Sequence, residues 1–200
     1  MARMSSRRLP RLAALARLLA GAACLVLFPA LLQAQAPAGS PPALPPELEK
    51  VRSALEKYQD PVVAIHDGYH STLGCVEYAE GGMGIHFLNL RLIGPVPDPM
   101  RPQILLYEPV GNKVRLVGAE WFIPLATGVK ERPHLFGQPF EGPMEGHEPL
   151  QPAGLHHYDL HVWLFKPNPA GMFSHVNPTV KCKDVGYSFM LQPPKSVPHR

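Results

Sequence analysis

The sequence predicts an α+β protein: two short N-terminal helices, then a mainly antiparallel β-sheet, sandwich or barrel-like, with long Pro/Gly-rich loops. Three observations predict it. Apolar residues recur at spacings of three and four only near Leu48, Val51, Leu55 and Tyr58. Four later runs are short, rich in Val, Leu, Ile and aromatic residues, and bounded by Gly or Pro. No helical segment of about 10–15 residues separates those runs, so antiparallel pairing is expected.

The first 36 residues have the pattern of a secretory signal peptide. Arg3, Arg7, Arg8 and Arg11 make a positive leader, and an apolar run of 15 residues follows from Leu18 to Leu32. That run is short for about 30 Å of hydrocarbon and is broken by Pro29. It ends in Ala34-Gln35-Ala36, which fits small-x-small cleavage after Ala36. The rival is an uncleaved anchor reaching back to Leu12, which would place Arg17 in the membrane. Ser6-Arg7-Arg8 is similar to a twin-arginine signal, but Pro10 stands where a bulky apolar residue is usual. The expected location is secreted or periplasmic, with no stable membrane insertion after cleavage.

Cleavage would remove five arginines and no acids. The remaining 164 residues carry 14 Lys+Arg against 16 Asp+Glu, a formal charge of −2. No basic cluster remains, which argues against a nucleic-acid partner. Cys24 leaves with the leader, so Cys75 and Cys182 are an isolated pair in an oxidising compartment. A disulfide between them is expected and would close a loop of over a hundred residues; the alternative is two unpaired thiols.

Residues 37–46, PAGSPPALPP, read as a Pro-rich linker, and residues 47–200 as one globular domain. The first helix carries the Leu48–Tyr58 stripe. Asp60-Pro61 supplies an N-cap and a Pro at N1 for a second short helix through VVAIHD, stopped by Gly68. The predicted strands are GMGIHFLNL (82–90), QILLYE (103–108), VRLVGAEWFI (114–123) and HYDLHVWLF (157–165). Gly111-Asn112-Lys113 is a tight turn between the second and third. Residues 135–154 read as a long loop held by its own side chains, and the tail from Gln192 as loose.

Chemistry concentrates on the strands. In the last one, His157, Asp159, His161 and Trp163 share a face, opposite Tyr158, Leu160, Val162 and Leu164. Alternate residues lie about 7 Å apart along that face. In the third strand, Glu120 aligns with Val114, Leu116, Gly118 and Phe122, an acid among apolar neighbours that needs a partner. His86 aligns with Leu88 and Leu90. Two histidines from separate strands and one glutamate make a ligand set for a divalent transition metal. His86, Glu120 and His161, joined by His157, are the candidate ligands. A second reading stays open: Glu120 pairs with an arginine such as Arg91 or Arg115, and each histidine satisfies a backbone carbonyl. His134, His147, His156 and His175 lie among Pro and Gly and read as surface. Trp121, Trp163, Phe87, Phe122 and Tyr107 read as core. The sequence has no G-x-S-x-G and no phosphate loop.

The segments GGMGIHFLN, QILLYEPVGNKVRLVGAEWFIP, LFGQPFEGPMEGHEP and YDLHVWLFKPNPAGMFSHVNPTVKC resemble a family of uncharacterised secreted bacterial proteins, a domain of unknown function. The resemblance spans roughly Tyr58 to Cys182. Its blocks fall at Met83–His86, Ala119–Trp121, Leu160–Trp163 and Asn168–Phe173, with a departure at Ala119-Glu120-Trp121, where valine and tyrosine are usual. The resemblance implies that His86, Glu120 and His161 occupy motif positions, and it implies no reaction. Three classes follow: a secreted or periplasmic protein binding a metal or small ligand, a metal-dependent enzyme using the same residues, and an envelope protein with no small-molecule site.

Overall fold

The computed structural model describes residues 43–183 and 186–199. The predicted leader, residues 1–36, lies outside them, as does most of the linker. Helix α1 (Pro46–Leu55) opens with proline, and its buried face is Leu48, Val51 and Leu55. Each such side chain contributes about 1.5–3 kcal/mol on burial. A 3-10 turn (Glu56–Gln59) leads to helix α2 (Pro61–His66), where the Asp60 carboxylate accepts from Val62 N at 2.9 Å. That bond satisfies an amide that has no partner inside the helix.

Among the described residues nine strands follow: β1 (His70–Tyr78), β2 (Gly81–Leu88), β3 (Ile104–Val110), β4 (Lys113–Pro124), β5 (His134–Leu135), β6 (Gln138–Pro139), β7 (Glu141–Met144), β8 (His157–Val162) and β9 (Ser188–Met190). Seven of them form one mainly antiparallel sheet in the order β7-β8-β4-β3-β2-β1-β9, and β5-β6 is a separate two-residue hairpin. Gly111-Asn112 is the turn between β3 and β4, with Val110 opposite Lys113. Gly111 adopts φ +58°, a left-handed conformation that costs glycine little.

Several expectations about the strands need correction. β1 was not among the predicted strands, because Gly74 and the polar HSTLG segment hide its alternation. β9 pairs parallel with β1, contrary to the antiparallel expectation. The crossover rule constrains strands that follow one another, and these two are separated by almost the whole domain. Residues 135–154 contain the edge strand β7 and part of β5-β6 as well as loop.

The sheet curls. β9 lies on one edge, and the tail from Gln192 reaches the other. Lys195 O accepts from Glu145 N at 3.0 Å, Val197 N donates to Pro143 O at 2.9 Å, and Ser196 bridges to Met144. The tail is therefore tied down rather than loose. Flat, seven strands would set their outer edges about 29 Å apart at about 4.8 Å per step. The five residue steps from Met190 to Lys195 span at most about 18 Å. Only an inward-bent sheet lets one short segment serve both edges, and the result is a half-barrel.

The outer face packs on the helices. Leu105, Tyr107, Leu116, Ala119, Trp121, Ile123, Tyr158, Leu160 and Val162 meet Leu48, Val51 and Leu55 there. Trp121 is fully buried, and its indole N–H donates to Asp98 O at 2.8 Å. The inner face carries Ile104, Leu106, Phe122 and Trp163, with Val76, Tyr78, Met83 and Leu191 near the open side. All five aromatics read as core are buried. Cys75 of β1 is bonded to Cys182 across a sequence separation of 107, which fastens the segment before β9 to the sheet.

Candidate metal centre

The polar residues of the inner face are placed by strand register. On β8, His161, Asp159 and His157 stand opposite Glu120, Phe122 and Pro124 of β4. On β2, His86 stands opposite Leu106 of β3, which stands opposite Gly118 of β4. A β-bulge decides which way Glu120 points. Leu106 pairs with Gly118 but Tyr107 pairs with Leu116, so Val117 is an extra residue. The bulge inverts the alternation of β4. Leu116 faces the helices, with Ala119, Trp121 and Ile123, while Glu120 and Phe122 face inward. The expectation that Val114 and Leu116 share a face with Glu120 is thereby corrected.

The inner face brings His86, Glu120 and His161 together. One ligand atom from each lies within 4.8 Å of the other two. Glu120 Oε2 is 3.3 Å from His86 Nε2 and 3.4 Å from His161 Nε2. His157 stands beside this group rather than in it. With His147 and Asp159 it forms a neighbouring cluster, again with ligand atoms within 4.8 Å. His157 Nε2 is 3.5 Å from Asp159 Oδ2, and His161 Nδ1 is 3.8 Å from Asp159 Oδ1. The His161 ring therefore lies between the two carboxylates.

Neither arginine offered as a partner reaches Glu120. Arg115 pairs with the other buried glutamate, Glu108, which Lys166 also contacts. The contrast is informative. Glu108 is neutralised by two cations, whereas Glu120 and Asp159, equally buried, face only histidines.

His147, read from sequence as a surface residue, is largely buried. No periodic signal could have located it, because it lies in the loop after β7. That loop holds itself, through Gln151 N to His147 O at 2.8 Å and Gly146 N to Ala153 O at 3.1 Å. It folds over the open side of the sheet, where His147 Nδ1 meets the Tyr78 hydroxyl at 2.5 Å. Its ring centroid is 5.2 Å from that of His157. His157 Nδ1 is held by Leu155 O at 2.9 Å. Both rings thus have Nδ1 engaged and leave Nε2 without a hydrogen bond, the arrangement in which an outer partner orients a metal-binding imidazole.

Unpartnered atoms concentrate here. Among the described residues, the buried side-chain N and O atoms lacking a hydrogen bond include His86 Nδ1, Glu120 Oε2, His147 Nε2, His157 Nε2, Asp159 Oδ1 and both nitrogens of His161. Only Thr72 Oγ1 and Gln151 Oε1 lie outside the two clusters. Each such atom costs about 1–3 kcal/mol if nothing meets it. A cavity of about 10 Å³, lined by His86, Glu120, His147 and Asp159 with Met83 and Leu191, adjoins them. That is the size of one water or ion and too small for an organic substrate.

Burial and neighbouring charge pull the ionisations apart. Burial opposes the charge of Glu120, but His161 and then His86 hold it well below the usual carboxylate range. Burial likewise opposes a charged His161, yet the carboxylates of Glu120 and Asp159 raise it to about 9. His157 is raised, burial again being outweighed by Asp159. His147 is pushed down to about 4 by burial, so it is neutral at pH 7, as a metal ligand must be.

Comparison with known protein families, characterised proteins and solved structures finds no match for this chain. Among the described residues no helix is long and apolar enough to cross a membrane.

Proposed function

We propose that this is a secreted or periplasmic protein that binds a divalent transition metal through His86, Glu120 and His161. One observation carries the reading. The Glu120 oxygen stands 3.3 and 3.4 Å from two imidazole Nε2 atoms and makes no hydrogen bond to either. Those separations match the edge of a tetrahedron about 3.3–3.4 Å long, which follows from bonds of about 2.0–2.1 Å to a central zinc. The leader pattern and the disulfide agree with an oxidising compartment.

A rival, in which His161 carries a proton between the two carboxylates and no ion binds, accounts for the charges. It leaves His86 Nδ1 and the Nε2 atoms of His147 and His157 without hydrogen bonds. Two histidines and one glutamate also form a catalytic zinc set, with a fourth position left for water. That favours hydrolytic chemistry as a second reading, although the adjoining cavity of about 10 Å³ has no room for an organic substrate.

The test is metal analysis of purified protein equilibrated with Zn²⁺ and desalted. The expected result is at least one zinc per chain, with the count reduced in Glu120→Ala and His161→Ala. A folded wild-type protein that retains no zinc, copper, cobalt or manganese would end the proposal.

A further inference from the structure

From the second cluster we infer that the inner face holds two metal ions, the second bound by His147, His157 and Asp159, with the His161 ring standing between the sites. The inference rests on the metal reading above and adds a separate ligand set to it.

The second cluster is built like a site in its own right. Three donors from a loop and β8 converge within 4.8 Å of one another. His157 is anchored through Nδ1 to a backbone carbonyl and His147 through Nδ1 to the Tyr78 hydroxyl, so both Nε2 atoms are oriented and make no hydrogen bond. A ring that served only to fill space could turn either nitrogen toward a carbonyl; here the nitrogen that is fixed is the same one in both residues. Asp159 Oδ1 is buried without a hydrogen bond, and no lysine or arginine forms an ion pair with Asp159 among the described residues. Its only ion-pair neighbours among the described residues are histidines, and a bound ion would meet both the carboxylate and the unpartnered imidazole nitrogens.

His161 joins the two sets. Its Nε2 faces Glu120 of the first and its Nδ1 faces Asp159 of the second, at 3.4 and 3.8 Å. A ring with a metal on each nitrogen spaces two ions about 6 Å apart, from bonds of about 2.0 Å on either side. All six donor residues offer nitrogen or oxygen, the ligand types that suit Zn²⁺, Cu²⁺ and Co²⁺.

The experiment counts ions in the full chain by Co²⁺ titration followed by visible absorbance, with elemental analysis of Zn²⁺-loaded protein in parallel. The expected result is two ions per chain in the wild type, one in His147→Ala and one in His86→Ala. Tyr78→Phe, which leaves every ligand in place, should weaken one of the two binding steps by about 10–100-fold and spare the other. Magnetic coupling between two Cu²⁺ ions, abolished in His161→Ala, would place the ring between them. One ion per chain that His147→Ala leaves untouched overturns the second site while the first stands. One ion lost in both His86→Ala and His147→Ala overturns it too, in favour of a single mixed site. If no ion binds, both readings fall.

Discussion

Glu120 and His161 stand directly opposite each other on neighbouring strands, and the oxygen of one lies 3.4 Å from Nε2 of the other, without a hydrogen bond between them. Replacing either should weaken metal binding by more than the roughly 10–100-fold that loss of an outer partner costs. In metal-free protein, Glu120→Gln should also destabilise the fold. It leaves His161 with Asp159 as its one remaining carboxylate, so the loss should fall toward the low end of the about 3–5 kcal/mol typical of a broken buried pair. Calorimetric binding and denaturant unfolding of the same variant check the two effects separately.

The pH dependence of the metal-free protein has a definite sign. His161 is raised to about 9 from an ordinary 6.5, so its contribution is full below about pH 6.5 and disappears as pH rises through 9. His147 is depressed to about 4, so its contribution is full above about pH 6.5 and is lost as pH falls toward 4. Stability in a chelator should peak near pH 6.5 and decline on both sides. Metal affinity should instead strengthen with rising pH, as the proton leaves His161 to solvent. Melting curves at pH 5, 6.5 and 9, with and without Zn²⁺, distinguish the two trends.

Reduction of Cys75–Cys182 should destabilise the protein markedly. A bridge closing about 100 residues contributes about 4.7 kcal/mol in the chain-entropy model. For a domain of this size that is about 10 °C or more in Tm. A thermal scan with and without reductant measures it, and an unchanged transition would refute the expectation.

Gly118 stands in the cross-strand row of His86 and Leu106, two residues before Glu120 on β4. A Cβ at this position would meet Val162 O at 2.6 Å, a backbone atom that cannot swing away. Gly118→Ala should therefore cost about 1–3 kcal/mol. It should also loosen metal binding by shifting β8, which carries three of the proposed ligands. Gly94→Ala, with no atom within 4 Å of the added carbon, is the control.

The residues of the candidate site were readable from sequence wherever a strand imposed its alternation. His157, Asp159 and His161 share the inner face because β8 is regular over those positions. Glu120 stood out as an acid in an apolar run. The grouping around it was less legible, because the Val117 bulge reverses the strand without leaving a mark in the composition. His147 was out of reach: its place depends on a loop whose path is set by backbone hydrogen bonds and by the Tyr78 hydroxyl on a distant strand. β9 and the tail were missed for a similar reason, since short edge segments owe their order to a partner strand and carry little pattern of their own.

Both margins of the half-barrel are completed by residues 188–197. One short strap thus serves two rims: it caps β1 through β9 and β7 through Lys195 and Val197. Severing it between Met190 and Lys195 would bare the backbone donors and acceptors of both outer strands at once, and with them the side chains enclosed between those strands.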